Sequence, residues 1–238
     1  MEPYERTAEA YDLIQAARGH DYAVDAGNLT ELVRVRFPSA NSLLDVACGT
    51  GLHLAAFRDV FAFVAGVDIS AGMLAVARSR LPGVDLRQED MRAFDFGRGF
   101  DAVTCMFSAI GSMQTRDDLD RAVACMARHL NPGGVLVVEP WLQPQDWAVP
   151  YVTAESAKGD QIAVARASRN GRRGHISTFQ LHWTIVTPEA VDYIVEDHEL
   201  GLYAFDEYED AFVSAGLSVE RLAGGPHHRG LFVGTKVT

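Results

Sequence analysis

Cysteine is scarce in this sequence. Cys48, Cys105 and Cys125 are the only three among 238 residues, and no two of them have C-x-x-C spacing. Such a set favours neither a disulfide framework nor a zinc site, so each cysteine is expected to be a small apolar residue in a reducing compartment. No set of histidines, cysteines and acids has metal-ligand spacing, and we therefore predict no metal.

Positive charge is also in short supply. The sequence has 21 Lys and Arg against 32 Asp and Glu, a formal net charge of −11. A surface of that sign repels nucleic acid and anionic membranes, so we predict neither as a partner. No apolar run approaches the ~20 residues that span a bilayer, and no signal peptide is visible. We expect a cytoplasmic protein.

Apolar residues are plentiful, at 48% of the chain, which is enough for the core of one large α/β domain. Between Asn41 and Glu139, short apolar runs alternate with helical patterns, as in a parallel sheet with helices on both faces. The segment Asn131–Gly134 is expected to stop a helix and turn into the last of these strands. Five strands are predicted, at 42–47, 63–68, 84–88, 100–106 and 135–139.

After Pro140 the pattern becomes β-rich. The runs 161–168 and 176–186 flank Asn170-Gly171, a pair typical of hairpin turns, and a third run follows at 191–203. We predict an α/β protein with a Rossmann-like sheet and a small antiparallel β excursion. Residues 1–140 and 203–238 would form the main domain, and residues 141–202 the small subdomain.

A glycine-rich turn follows the first predicted strand, in the segment Asp45–Gly51. Paired glycines between a strand and a helix let a ligand lie against bare backbone, although a tight turn without a ligand is the alternative. The strand before it and the helix after it favour a binding site. Dinucleotide folds have a third glycine where this chain has Leu54, which disfavours NAD. S-adenosylmethionine has no pyrophosphate and does not require that glycine.

Acidic residues close the next two predicted strands. Asp68 ends the second strand, where nucleoside-binding folds place a carboxylate on the ribose hydroxyls. The alternative role is a helix N-cap, which Ser70 is able to supply. Asp90 and Met91 follow the third strand and are placed to read the adenine edge, although Asp90 by itself is more typical of a solvated loop.

The order of these segments resembles class I S-adenosylmethionine methyltransferases. The matching pieces are Asp45–Gly51, Val67–Ser70, Glu89–Met91 and Leu130–Gly134. Further stretches resemble the bacterial N-methyltransferases that methylate or dimethylate the amino group of TDP-linked deoxyamino sugars for antibiotic biosynthesis. They cover nearly the whole chain and lie at 11–13, 19–22, 42–51, 103–108, 137–141, 224–226 and 229–232.

The resemblance implies a cofactor site, a sugar-nucleotide pocket and a homodimer, although no apolar stripe in the sequence requires a dimer. Tyr4, Trp141 and Arg229 are expected to bind the TDP-linked amino sugar, with the β excursion as one wall. Ser112 stands near the sugar amine, where some relatives have a histidine or tyrosine. Together with the glycine turn, the resemblance places S-adenosylmethionine at Tyr11, Tyr22, Ala47, Gly49, Thr50, Gly51, Asp68, Asp90, Met91 and Met106.

The absence of an obvious general base at Ser112 bears on the methyl acceptor. The methyl group of a sulfonium is already activated, so in-line attack by a free amine depends mainly on alignment, which is worth ~7–11 kcal/mol. A hydroxyl more often needs a positioned base, so the sequence favours N-methylation. An O-methyltransferase or another small-molecule methyltransferase is the alternative. An NAD-dependent oxidoreductase or a non-catalytic nucleotide-binding module is an alternative from another class.

Overall fold

The computed structural model describes residues 4–149 and 151–237. No helix in this part of the chain is long and apolar enough to cross a bilayer. The helices and strands run α1 (Ala8–Ala17), α2 (Tyr22–Arg36), β1 (Ser42–Val46), α3 (Leu52–Arg58), β2 (Phe63–Asp68), α4 (Ala71–Arg80), β3 (Asp85–Gln88), β4 (Phe100–Cys105), α5 (Arg116–Arg128), β5 (Leu130–Val138), β6 (Tyr151–Lys158), β7 (Ala163–Arg173), β8 (Ile176–Val186), β9 (Val191–Gly201), α6 (Phe205–Ser214), β10 (Leu217–Leu222) and β11 (Leu231–Lys236).

A seven-stranded sheet forms the centre of the molecule, in the order β10-β11-β5-β4-β1-β2-β3. The strands β1 to β5 are parallel, while β11 runs antiparallel between β5 and β10. Alternate residues of a buried strand point to opposite faces, so each face carries an apolar cluster. Leu43 packs with residues of α2 and α3, and Leu44 packs with residues of α5 and α6. The predicted Rossmann-like sheet with helices on both faces is confirmed.

A second sheet follows, with four antiparallel strands in the order β6-β7-β8-β9. Helix α1 packs on it, because Ala10 and Ile14 join Trp183 and Ile194 in one buried cluster. The predicted antiparallel excursion is therefore present. Its first strand, β6, was not predicted, since this edge strand is largely exposed and has no alternating apolar pattern.

The turn between β7 and β8 is not where the sequence places it. Asn170 pairs with Phe179 inside the ladder, and the two strands are joined by Gly174 and His175. Gly174 has a φ of 61°, the left-handed backbone that tight turns require. The register follows the apolar alternation of both long strands, which outweighs the local preference of an Asn-Gly pair.

The segment Asn131–Gly134 also differs from its prediction as a turn before the fifth strand. Helix α5 ends at Arg128, and the segment lies within β5. The pairing of β5 with β4 shifts register between Phe100 and Ala102, so the segment forms an irregular start to the strand. The side-chain amide of Asn131 donates to a carboxylate oxygen of Asp101 at 2.7 Å and fixes this irregularity.

Candidate cofactor and substrate site

The turn after β1 presents backbone at the carboxyl edge of the main sheet. Ala47, Gly49 and Gly51 have φ angles of 57°, 55° and 78°. A Cβ added to Gly49 would meet only Met73 Sδ, at 3.9 Å, so one side of the turn is open. A Cβ on Gly51 would come within 2.7 Å of Leu81 Cδ1, on the side packed against α4. Left-handed backbone at Ala47 costs ~1–2 kcal/mol, and strain of this kind is typical of binding sites.

Asp68 lies at the end of β2, opposite this turn. One carboxylate oxygen accepts the Gly49 N–H at 2.8 Å and the other accepts the Ser70 N–H at 2.9 Å. Burial raises the pKa of the Asp68 carboxyl, and these backbone donors oppose the rise. The hydroxyl of Ser70 caps α4 by accepting the Met73 N–H at 3.3 Å, so Asp68 is not the cap.

A polar network joins α1 to the glycine turn. Thr50 Oγ1 donates to one oxygen of Asp12 at 2.6 Å, and Arg80 donates to the other at 2.8 Å and to the Thr50 carbonyl. This network anchors α1, the helix that carries Tyr11, to the turn. Burial raises the pKa of Tyr11. The sequence did not point to Asp12 or Arg80, because the network links segments 38 and 68 residues apart and has no local signature.

The end of β4 adds a second strained segment. Phe107 and Ser108 have φ angles of 55° and 57°, directly after the buried Met106. The ring of Tyr22, the first residue of α2, stacks on Phe107 with centroids 5.3 Å apart and planes 8° apart. Burial raises the pKa of Tyr22. Because β1 and β4 are adjacent and parallel, these residues lie at the same edge as the glycine turn.

Asp90 and Met91 follow β3 at this edge as well. The Nε–H of Arg92 lies 3.0 Å from both carboxylate oxygens of Asp90, and Nη1 of Arg92 donates to Asp118 at 2.7 Å. The side-chain hydrogen bond from Arg92 lowers the pKa of the Asp90 carboxyl. Met91 is partly buried and packs against the core. The carboxylate is thus held by Arg92, while the neighbouring backbone stays at the edge of the sheet.

Trp141 and Arg229 meet beyond the end of β5 and the start of β11. The guanidinium carbon of Arg229 lies 4.4 Å from the centre of the Trp141 ring, and Nη1 donates to Ser108 Oγ at 2.7 Å. The indole N–H of Trp141 donates to Ser177 Oγ on β8 at 2.9 Å, which ties this corner to the second sheet. Burial lowers the pKa of Arg229. In residues 4–149 and 151–237, Arg229 forms no ion pair, and Oε1 of nearby Glu139 accepts the His227 backbone N–H at 3.1 Å.

Tyr4 and Ser112 occupy different surroundings. The ring of Tyr4 lies 5.0 Å from that of Tyr11 and 4.8 Å from that of His198 on β9, so it bridges α1 and the second sheet. Ser112 is exposed at the end of the short 3-10 helix Ala109–Ser112. The structure therefore brings Tyr4 close to Tyr11, and Trp141 close to Arg229, while the Ser112 side chain faces solvent.

Comparison with known proteins gives full-length matches. Residues 43–134 match a family model described as a methyltransferase domain. The chain is 48% identical to the dTDP-3-amino-3,4,6-trideoxy-alpha-D-glucopyranose N,N-dimethyltransferase of Streptomyces venezuelae, over 95% of this chain and 96% of that protein. It is 43% identical to the dTDP-4-amino-2,3,4,6-tetradeoxy-D-glucose N,N-dimethyltransferase of Saccharopolyspora spinosa, over 96% and 92%.

Comparison with solved structures points to the same group of enzymes. The crystal structure of Streptomyces venezuelae DesVI superposes with a TM-score of 0.92 at 47% identity, over 97% of this chain and 98% of that one. The S-adenosylmethionine-bound structure of CalS10, an amino pentose methyltransferase from Micromonospora echinaspora, gives 0.86 at 38% identity, over 96% and 97%. These matches disfavour the NAD-dependent alternative, and the open glycine turn facing Asp68 fits a nucleoside cofactor. The chain therefore belongs to the S-adenosylmethionine-dependent N-methyltransferases of the amino-sugar family.

Proposed function

We propose that this protein transfers two methyl groups in succession from S-adenosylmethionine to the amino group of a TDP-linked deoxyamino sugar in the biosynthesis of an antibiotic. The observation that carries the proposal is the full-length identity of 48%, 45% and 43% to three enzymes named as N,N-dimethyltransferases of dTDP-linked amino sugars. Two of these names specify a 3-amino sugar and one a 4-amino sugar, so the proposal covers both positions.

The cofactor would be held along the edge where β1, β2, β3 and β4 end. Bound there, S-adenosylmethionine supplies a methyl group activated by its sulfonium. Asp68 supports this assignment, because a carboxylate at the end of the second strand suits ribose hydroxyls. The other residues that we assign to this site are Tyr11, Tyr22, Ala47, Gly49, Thr50, Gly51, Asp90, Met91 and Met106. Asp90 would act through the backbone beside it, since its carboxylate is held by Arg92.

The sugar nucleotide would lie between this edge and the second sheet. Arg229 has a half-buried guanidinium that is not neutralised by an ion pair in the described part of the chain, as a diphosphate-binding group requires. Trp141 offers an aromatic face beside it, and Tyr4 lines the side near Tyr11. In this proposal residues 141–202 form a subdomain that covers the pocket and excludes water from it.

Catalysis would rest on positioning, since a neutral amine already has the lone pair that attacks the methyl group. Ser112 faces solvent in the free protein, and in this proposal it lies beside the bound amine and accepts a hydrogen bond, with the proton leaving to water. The exchange Ser112→Ala should then lower kcat by less than about 10-fold, because it removes one hydrogen bond of ~0.5–1.5 kcal/mol. A loss of about 1,000-fold in a folded variant would instead identify Ser112 as essential.

Purified protein tests the reaction directly. It is incubated with S-adenosylmethionine and TDP-linked 3-amino and 4-amino deoxysugars, with the matched hydroxy sugars as controls. Mass spectrometry should show one added methyl group and then two on an amino sugar, and none on the hydroxy sugar. No transfer to any amino sugar, or faster transfer to a hydroxy sugar, would contradict the proposal.

A further inference from the structure

Three ionisable side chains converge between α2 and α3, beside the ring of Tyr22. His20 precedes α2, Asp25 lies in the first turn of α2, and His53 lies in the first turn of α3. His20 Nε2 is 2.6 Å from Asp25 Oδ2, and His53 Nε2 is 3.9 Å from the same oxygen. All three donor atoms lie within 4.8 Å of one another. Two imidazoles and a carboxylate thus point at one small volume.

These three atoms are buried, and none of them makes a hydrogen bond of acceptable geometry with the described residues. The side chains of His20, Asp25 and His53 are 12%, 15% and 6% exposed. A buried polar atom without a hydrogen-bond partner destabilises the fold. Three of them at one point therefore indicate a common partner with several coordination positions.

We propose that His20, Asp25 and His53 bind a divalent transition-metal ion, with zinc as the reference ion. Zinc binds imidazole nitrogen and carboxylate oxygen at ~2.0–2.2 Å, which places tetrahedral donors about 3.4 Å apart. The separations of His20 Nε2 and His53 Nε2 from Asp25 Oδ2, 2.6 and 3.9 Å, lie on either side of that value, so small shifts of the three side chains would complete the arrangement. Three protein ligands leave one position for water or another small ligand.

The side chains of the cluster favour the protonation states that bind a cation, neutral imidazole and ionised carboxylate. Burial lowers the pKa of His20, which favours the neutral imidazole that coordinates metals. Burial alone would raise the pKa of Asp25, but the neighbouring His53 and His20 lower it and favour the carboxylate.

Three other ionisable groups lie near the cluster. Tyr22 has its ring 4.6 Å from that of His20. Burial raises the pKa of Asp45, and its interaction with His53 opposes this rise. The ring of His227 stacks on His20 at 5.4 Å, and its Nδ1 lies 3.0 Å from Glu139 Oε1.

Aromatic rings surround the cluster and limit water. The ring of Phe107 lies 4.5 Å from His20 and 5.4 Å from His53, and Tyr22 lies 4.9 Å from His53. A metal at this point would join the start of α2 to the start of α3, and so fix Tyr22 against the loop after β4. Its role would be to stabilise this side of the fold, including the position of Tyr22, and no step of the proposed methyl transfer requires the ion.

Metal binding is tested on the full-length chain after removal of any affinity tag and treatment with a chelator. Zinc titrated by calorimetry should bind at one equivalent per chain and raise the melting temperature. Cobalt bound in place of zinc should give the visible absorption of a low-symmetry site, because the spectrum of this ion depends on the nitrogen and oxygen atoms that coordinate it. Absence of stoichiometric binding by the folded protein would overturn the proposal and would leave the methylation assay, run without added metal, unaffected.

Variants locate the site. Asp25→Asn and His53→Gln should each weaken zinc binding at least ~10-fold and remove the cobalt spectrum. The matched control is His198→Gln, which breaks a buried pair with Glu196 at 3.3 Å elsewhere in the chain and should leave zinc affinity unchanged. Circular dichroism checks that each variant is folded. Unchanged zinc affinity in both folded site variants would show that the cluster is an ordinary proton-sharing network.

Discussion

The guanidinium of Arg229 lies on the face of Trp141, 4.4 Å from the ring centre, and donates a hydrogen bond to Ser108 at 2.7 Å. Ser108 in turn donates to the Pro140 carbonyl at 2.6 Å. The loops that follow β4 and β5 and the loop that precedes β11 are thereby held around one cation. Desolvation makes such a cation–aromatic contact worth about 2 kcal/mol. The positive charge is therefore fixed in place before any ligand arrives.

Replacement of this arginine should affect the sugar nucleotide more than the cofactor. Arg229→Lys keeps the charge but loses the planar, bidentate donor set, so we expect KM for the TDP-linked sugar to rise ~10–100-fold, equivalent to ~1.5–3 kcal/mol. The dissociation constant of S-adenosylmethionine should change less than about 2-fold. Steady-state kinetics and calorimetry measure the two quantities. Arg172→Lys is the control, because Arg172 binds the Gly174 and Pro144 carbonyls at the surface. A weakened cofactor with unchanged sugar KM would contradict this assignment.

Substitution of Gly49 and of Gly51, in the turn after β1, should be harmful for different reasons. Gly49→Ala adds a Cβ on the open side and should lower cofactor affinity at least ~10-fold, while left-handed strain costs ~1–2 kcal/mol of stability. Gly51→Ala bears the same strain and also drives a Cβ to 2.7 Å from Leu81, so it should be the less stable of the two. Gly97→Ala is the control that measures the strain alone, because Gly97 has a φ of 65° and a Cβ added there would meet nothing within 4 Å. Urea unfolding measures the stability of each variant, and calorimetry measures its affinity for the cofactor. Equal stability of the Gly49 and Gly51 variants would argue against the close contact with Leu81.

Asp68 and Ser70 lie in one loop, but their substitution should change different quantities, cofactor affinity for Asp68 and stability for Ser70. Asp68→Asn removes a charged acceptor at the proposed ribose position, so cofactor affinity should fall ~10–100-fold, from ~1.5–3 kcal/mol for hydrogen bonds to a charged group. Ser70→Ala removes only the cap of α4 and should cost ~0.5–2 kcal/mol of stability. Its cofactor affinity should stay within about 3-fold of the original. If both variants lose the cofactor equally, the loop conformation and not the carboxylate is responsible.

The sequence predicted the parallel sheet well because strands buried on both faces are almost continuously apolar. β1 and β4 show this, and the glycine turn between β1 and α3 has a local signature of its own. The exposed strand β6 carries no such pattern and was missed. The turn at Gly174 was placed wrongly because strand register is decided by packing over many residues, which a dipeptide preference does not reveal.

The residues of the site also divide into those that a local motif reveals and those that only the tertiary structure brings together. Residues in contiguous motifs, such as Asp68 and Gly49, were identified from local pattern, and the structure brings them within 2.8 Å. The link between Asp12 and Thr50, and the convergence of His20 with His53, depend on how α1, α2 and α3 pack. Their separations along the chain follow no ligand-spacing rule, so tertiary structure was needed to find them.

Asp45 gives the fold a pH dependence of unusual sign. Its carboxylate is 3% exposed and accepts a hydrogen bond from Thr104 at 2.7 Å, and burial raises its pKa to about 6. An aspartate in the unfolded chain titrates near ~3.9. Between these values the unfolded state loses its proton first, so the contribution of Asp45 to stability falls as the pH rises from about 4 to about 6. Above pH 6 the buried charge costs a constant amount of about 3 kcal/mol.

Asp45→Asn removes this titration. The difference in unfolding free energy between the variant and the original chain should therefore shift in favour of the variant by about 2 kcal/mol from pH 4 to pH 7, as measured by urea unfolding. Asp101→Asn is the control of opposite sign. Hydrogen bonds from the Asn41 and Ser42 backbone and from the side chains of Asn131 and Ser42 outweigh burial and lower the pKa of Asp101. Its carboxylate therefore stabilises the fold almost fully above about pH 4 and loses this contribution as the pH falls further. The cost of Asp101→Asn should be nearly the same at pH 7 and pH 4 and should shrink below pH 4. A difference for Asp45→Asn that does not change with pH would mean that this carboxyl titrates as it does in the unfolded chain.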